Sequence, residues 1–319
     1  MTGAIPYDLE GKRVWVAGHR GMVGHAIARR LAGVPLGELI TATSTEVDLR
    51  RQAATEAFVG HVRPDVIVLA AAKVGGIEAN RTRQADFLYD NLMIAANVVE
   101  ASRRSGVERL LLLGSSCVYP REAPQPIRES SLLTGPLEPT NEGYAVAKIA
   151  ALELGKMYRR QHELDAISLM PTNLYGPHDN YDPMSSHVMA ALIRKAHEAK
   201  VSDARHMVVW GSGTPRREFL HVDDLADAAV VALTQYTGED HLNVGCGEDV
   251  EIRQLAATIC RVIGFEGELV FDTSKPDGMP RKLLDVTRVT ELGWQPRVSL
   301  EEGIADAYRW FVDNVAESR

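Results

Sequence analysis

Tyr144 and Lys148 stand four positions apart in the run Tyr144-Ala145-Val146-Ala147-Lys148, and Ser115 lies upstream in Gly114-Ser115-Ser116-Cys117. On a helix, residues four apart share one face, so the phenol and the ammonium would lie side by side. A positive charge beside a phenol favours phenolate, because opposite charge stabilises the ionised form. Bringing a tyrosine from ~10 to ~7 requires roughly 4 kcal/mol of differential stabilisation. Such a tyrosine exchanges protons with a carbonyl oxygen near neutral pH, and a serine hydroxyl beside it would polarise the same carbonyl. Alone, Tyr-x-x-x-Lys arises often by chance, and its plain alternative is a helix with one packed tyrosine and one solvated lysine.

These groups need a frame. Leu110-Leu111-Leu112-Leu113 reads as a buried parallel strand ending in a polar turn, and 145–157 reads as an alanine-rich helix. Near the start, Arg13–Ala17 is a short apolar strand followed at once by Gly18-His19-Arg20-Gly21-Met22-Val23-Gly24. Met22, Val23, Ala26, Ile27 and Leu31 then have helical spacing. Strand, glycine turn and helix in that order suit a dinucleotide: the glycines let backbone approach a pyrophosphate, which sits on the helix N-terminus. Further strands are expected at 38–42, 65–70, 110–114 and 166–170, alternating with helices at 51–61, 85–104 and 144–161. That alternation predicts an α/β fold, a doubly wound parallel sheet of the Rossmann type covered on both faces. Ligands of such sheets bind beyond the strand C-termini, where Gly18, Ala71, Ser115 and Pro171 all fall.

After Pro171 the pattern loosens into a turn-rich stretch at 173–180, a helix at 187–200, a strand at 207–210 and a polar loop at 211–219. Short strands at 242–244 and 269–271 flank a helix at 252–263, and 300–315 closes the chain as a helix. The expected organisation is a dinucleotide-binding domain over 1–174, joined again by roughly 219–247 as 222–233 and 242–244 return to the sheet, and a smaller interleaved substrate lobe over 175–319.

Composition narrows the classes. The 319 residues are 45% hydrophobic and 24% charged, as in ordinary globular proteins. A net charge of -8 argues against nucleic acid, whose binders carry a basic face. Cys117, Cys246 and Cys260 are odd in number and show no C-x-x-C spacing, which argues against a disulfide framework and suits the reducing cytoplasm. His178, Asp179 and His187 lack a zinc-ligand pattern, so no metal is expected. No apolar run approaches 18 residues and no signal segment opens the chain, so neither membrane nor export is expected.

Ser115, Tyr144 and Lys148 resemble the Ser/Tyr-x-x-x-Lys site of the short-chain dehydrogenase/reductase superfamily. The G-x-x-G-x-x-G spacing of Gly18, Gly21 and Gly24 is similar to that of its extended members. A nicotinamide cofactor follows, whose cationic oxidised form would add to Lys148 in favouring phenolate. NAD sites place an acid on the ribose 2′-OH at the end of the second strand. Here that end reads Thr41-Ala42-Thr43-Ser44, with no acid until Glu46, while Arg20 in the glycine loop suits a 2′-phosphate. NADPH is therefore expected over NADH, narrowly, since Ser44 stands where many NADP enzymes carry arginine. Asp48 is expected near the adenine, or as a solvated loop carboxylate.

Other stretches go beyond the superfamily: Ala70 to Ile77 with Lys73-Val74-Gly75-Gly76, Pro171-Thr172-Asn173-Leu174-Tyr175-Gly176-Pro177-His178-Asp179-Asn180, Val209 to Asp224, and Ser274-Lys275-Pro276-Asp277-Gly278. Together with the glycine loop and Gly114-Ser115-Ser116-Cys117, they resemble the GDP-L-fucose synthase family over nearly the whole chain. That resemblance implies a GDP-linked 4-keto-6-deoxy sugar, 3,5-epimerisation by Cys117 and His187 as base and acid, and reduction with Tyr144 as proton donor, Ser115 on the C4 oxygen and Lys148 on the nicotinamide ribose. It also implies cofactor contacts from Gly18 through Gly24, from Ser44 and Asp48, from Leu113, Gly114, Ser115 and Ser116, from Lys148, from Pro171 through Leu174, and from His187. Lys195, Trp210, Arg217 and Asp277 would hold the nucleotide sugar, with Trp210 on guanine and Arg217, rather than Arg216, on the diphosphate. Val74-Gly75-Gly76 is expected to let backbone approach the sugar. Each role has a plain alternative: Cys117 a buried hydrophobe, His187 a helix cap, Trp210 a core residue, and His178, Asp179 and Asn180 a turn. A GDP-colitose synthase would look almost the same, and a non-catalytic NADP-sensing regulator would lack the intact tyrosine–lysine pair. The long helices at 85–104 and 144–161 commonly form a dimer interface in the superfamily.

Overall fold

Apolar runs bounded by glycine and polar turns become strands, alternating with helices as the sequence alternates. In order they are β1 (Arg13–Ala17), α1 (Met22–Leu31), β2 (Glu38–Ala42), α2 (Gln52–Val62), β3 (Val66–Leu69), α3 (Ile77–Thr82), α4 (Gln84–Ser105), β4 (Arg109–Leu113), α5 (Glu142–His162) and β5 (Asp165–Pro171). Next come β6 (Asn173–Tyr175), α6 (Val188–Val201), β7 (His206–Trp210), β8 (Arg216–Arg217), β9 (Phe219–His221), α7 (Val222–Gln235) and β10 (Leu242–Val244). The chain finishes with β11 (Val250–Glu251), α8 (Ile252–Ile263), β12 (Glu268–Asp272), β13 (Arg281–Lys282), α9 (Thr287–Glu291) and α10 (Leu300–Phe311). This computed structural model describes residues 6–183, 185–275 and 277–316, so Pro276 of the stretch quoted above lies outside the described residues.

The central sheet runs β10-β5-β4-β3-β1-β2 and is parallel throughout. β3 and β4 are buried at every position, which is why 66–69 and 110–113 read as unbroken Val, Ile and Leu runs rather than alternating ones. The chain changes direction across the sheet at β1 and β3, and ligands of such sheets bind in the crevice beyond that switch. Of the two stretches expected to return to the sheet, 242–244 does so as edge strand β10, paired with Leu169, Met170 and Pro171. The other returns as helix α7 over the face of the sheet, because Val222, Leu225, Ala226, Ala229 and Leu233 repeat with a helical period and pack with Val14, Val16 and Ile27. Trp15, Ile67, Val98 and Leu110 fill the opposite face.

A separate core lies under the second half of the chain. Ile252, Leu255, Ala256, Ile259, Cys260 and Ile263 make one buried stripe of α8, packed with Met189 and Ile193 of α6 and Ile304 and Phe311 of α10. Glu251 and Gln254 form a reciprocal capping box at the start of α8, and Gly264, left-handed at φ 78, ends it. The remaining strands form smaller sheets: β6 with β9, β7 with β12, and the three-stranded β11-β8-β13. β8 and β13 carry only charged residues, two each, so no apolar alternation announces them, and β8 falls in the stretch expected to be a polar loop.

Candidate active site

The dinucleotide cradle is built by close backbone approach. Gly18 has φ +93, and a Cβ there would lie 2.6 Å from the Ala71 nitrogen beyond β3. Gly24 lets α1 cross directly over the Gly18 carbonyl, which a side chain would strike. α1 has neither a side-chain cap nor an acid in its first turn, so its N-terminal N–H groups are open to an anion. The buried Nδ1 of His19 in the same loop has no hydrogen-bond partner. These features fit a pyrophosphate. At the end of β2, Glu46, the first acid after the strand, folds back, and its carboxylate accepts from the Thr43 N–H at 2.7 Å and the Thr43 hydroxyl at 2.7 Å. Those bonds hold its pKa down, with His19 and Arg20 adding to the effect. Asp48 is tied to Arg50 at 2.9 Å, and that bond lowers its pKa.

The reductase trio comes together, with different electrostatics from those expected. α5 brings Tyr144 edge-on to Phe87 with ring centroids 6.4 Å apart. Lys148 Nζ donates to the Leu113 carbonyl at 2.8 Å and sits 5.8 Å from the Tyr144 ring centroid. Burial pulls Lys148 down to about 8, opposed by Cys117. Burial, and then Cys117, pushes Tyr144 above its ordinary value, so the phenol is a neutral acid in the protein by itself. Ser115 caps a 3₁₀ turn, Ser116–Val118, and accepts from the Cys117 N–H at 3.5 Å. Cys117 is 8% exposed, and burial raises its thiol pKa against Lys282, Ser115 and Lys148, which lower it. At this thiol desolvation outweighs the nearby cations.

The second half supplies the opposing wall. His187 is the N-cap of α6 without a side-chain cap bond, which removes the simple capping role. Its ring keeps open surface yet is crowded by protein, and that crowding, with Lys282, lowers its pKa. Trp210 is 61% exposed and so is no core residue; Lys195 and Lys275 lie 4.6 Å and 5.3 Å from its ring centroid. Arg216 is engaged by Asp249 at 2.7 Å, whereas Arg217 is held by the Arg216 carbonyl at 2.8 Å. Burial lowers the Arg217 pKa, with Asp277 opposing. Asp277 accepts from the Ser212 N–H at 2.7 Å and from its hydroxyl at 2.8 Å, clamping the turn after Trp210.

The description of the NAD dependent epimerase/dehydratase family matches residues 14–245. The chain belongs to that family. Within it, the chain is 56% identical over 312 residues to the GDP-L-fucose synthase of Sinorhizobium fredii, covering 98% of this chain and 99% of that protein. A GDP-L-colitose synthase of Yersinia pseudotuberculosis is 37% identical, covering 94% of this chain and 98% of that protein. A crystal structure of a GDP-L-fucose synthetase from Naegleria fowleri bound to NADP superposes with a TM-score of 0.90 at 28% identity, covering 98% of each chain.

For this member of the epimerase/dehydratase family, sequence reasoning missed Lys282. In β13 it lies opposite Arg217 of β8 in register. Burial lowers its pKa, Cys117 opposes, and Arg217 lowers it further, while its own charge lowers the pKa of both Cys117 and His187. One cation therefore acts on both members of the expected acid–base pair. Arg281-Lys282 carries no spacing signal, and only the pairing of β13 with β8 brings it there. Gly76 is closely approached from the second half of the chain. A Cβ on Gly76 would meet the Ser186 carbonyl at 2.6 Å, so this turn receives the chain before His187 rather than lying bare. His178 is left-handed at φ 66 and stacks on His25 of α1 with centroids 3.7 Å apart, a turn role that also ties that loop to the cradle.

Proposed function

We propose that this chain is a bifunctional 3,5-epimerase and NADPH-dependent 4-reductase that converts GDP-4-keto-6-deoxy-D-mannose to GDP-L-fucose. The observation that carries the reading is that the charge of Lys282 acts on both Cys117 and His187, while Cys117 in turn acts on Tyr144 and Lys148. A plain reductase has no use for that second pair. A 4-keto group acidifies the C–H bonds at C3 and C5, and inversion needs a base on one face and an acid on the other. Cys117 as the thiolate takes the proton, and His187 as the imidazolium returns one from the opposite face. Ser115 hydrogen-bonds the C4 oxygen, and Tyr144, neutral by burial, gives its proton to that oxygen during reduction. NADPH, when bound, supplies the hydride. Lys148 holds the nicotinamide ribose, and its ammonium recharges the phenol.

The cofactor rests on the Gly18–Gly24 cradle, with Arg20, Ser44 and Asp48 at the adenosine end and Leu113 to Ser116, Pro171 to Leu174 and His187 at the nicotinamide end. Arg217 and Lys282, two half-buried cations side by side, suit the diphosphate; Trp210 stacks on guanine, flanked by Lys195, and Asp277 shapes that wall. The division is a cofactor domain over 1–174, rejoined by roughly 219–247, and a nucleotide-sugar lobe over 175–319. Exposed Tyr89 and Leu92 on α4 with Val146 and Met157 on α5 support a homodimer through these helices. Three free cysteines support a cytoplasmic setting. Incubation with GDP-4-keto-6-deoxy-D-mannose and NADPH should give GDP-L-fucose by NMR. No NADPH consumption would overturn the reading, and preference for the 3-deoxy keto sugar would move it to the colitose branch.

A further inference from the structure

Glu218 is a carboxylate with no exposed surface, set between Arg217 and Phe219 and absent from the chemistry above. Its bonds are all to other segments of the site. Oε1 accepts from the Gly247 N–H at 2.7 Å, and Oε2 accepts from the Leu284 N–H at 3.1 Å. Its own N–H donates to the Lys282 carbonyl at 3.3 Å. Its carbonyl accepts from Asn173 Nδ2 at 2.8 Å and the Thr172 hydroxyl at 3.3 Å. Gly245 is kept without a side chain by this group: the three atoms nearest to an added Cβ all belong to the Glu218 carboxylate. Burying a carboxylate is costly unless its lone pairs are met, and here backbone N–H groups from two separate segments meet them.

We propose that Glu218 is the positioning residue of the nucleotide-sugar site, its carboxylate joining the turn after β10 to the end of β13 so that Arg217 and Lys282 present their cations together to a diphosphate. β8 and β13 share only the two register pairs Arg216–Arg281 and Lys282–Arg217, too few to hold two like charges side by side. The Glu218 side chain supplies the missing restraint from one residue away, through Leu284. This inference rests on the proposed GDP-sugar reading, and its test separates the two by using GDP itself.

Calorimetric titration of GDP into the wild-type protein comes first; absence of binding would overturn the GDP reading as a whole. Glu218→Gln keeps the shape but turns an NH₂ group toward one of the two N–H donors, and should weaken GDP about tenfold. NADPH affinity should stay within about twofold and kcat at saturating sugar within about threefold, so the loss falls on KM. Gly245→Ala displaces the same carboxylate without changing its charge and should act likewise. In an Arg217→Ala background, Glu218→Gln should add less than about threefold, because its effect passes through that cation. Unchanged GDP affinity in either variant, additive loss in the double variant, or loss of cooperative melting in both would overturn the proposal.

Discussion

Tyr144 and Cys117 are both harder to ionise in this protein than when free: burial and then Cys117 raise the phenol, and at the thiol burial outweighs Lys282 and Lys148. A neutral phenol is what a proton donor requires, so Tyr144→Phe should cut NADPH oxidation by at least ~100-fold while nucleotide-sugar binding survives. Lys148 titrates near about 8, and the reductase rate should fall as pH rises through that value. Stopped-flow absorbance of NADPH across pH checks both. At Cys117 the charge of Lys282 works against burial. In D₂O with NADP⁺ and no reductant, deuterium should enter C3 and C5, and Cys117→Ser should abolish that exchange. Lys282→Met removes a charge that lowers the pKa of both Cys117 and His187, so the pH for half-maximal exchange should move upward. An unmoved profile would confine Lys282 to substrate binding.

At the scale of elements, the turn after β2 and the loop after β6 carry the informative departures. Glu46 caps the β2 turn through Thr43 and faces Arg20, so a 2′-phosphate must share that arginine with a carboxylate. NADPH should be preferred only narrowly, and Glu46→Gln should widen the kcat/KM ratio of NADPH to NADH; equal ratios would remove Glu46 from cofactor choice. In the loop, burial pushes the Asp179 carboxyl up to about 7, against the lowering bond from the Asn180 N–H. An unfolded aspartate titrates near ~3.9, so between these values the folded chain keeps a proton that the unfolded chain has lost. Stability from this site is therefore full at low pH and declines as pH rises toward 7. Asp179→Asn avoids the buried charge and should raise Tm above pH 7 with little gain near pH 4, measured by thermal melts across pH.

For the whole molecule, the exposed apolar residues of α4 and α5 set the expected assembly. Tyr89 is 60% exposed and Met157 46%, on two helices that pack tightly against each other and read as ordinary surface in a lone chain. Met157→Lys with Tyr89→Lys should convert a dimer to monomers in analytical ultracentrifugation, since both would place charge in an apolar contact. A monomer in the unchanged protein would refute the homodimer. The two halves of the chain are also linked by the His25–His178–Trp310 stack, with the second pair of centroids 4.9 Å apart, which sets the chain leading to His187 against the cofactor helix.

The sequence by itself determined what is periodic or local. Unbroken apolar runs specified the buried strands, helical spacing specified α1, α4, α5 and α8, and the three glycines after β1 specified the cradle, because each signal lies within one element. Tyr144 and Lys148 were legible for the same reason, sharing one helix. Tertiary structure alone decided their ionisation, since burial depends on what packs around a group and not on its chain neighbours. It alone brought the charge of Lys282 to bear on both Cys117 and His187, and set Glu218 between two distant backbone segments. Those placements follow from strand pairing across long stretches of chain, between short charged strands that carry no hydrophobic period to announce themselves.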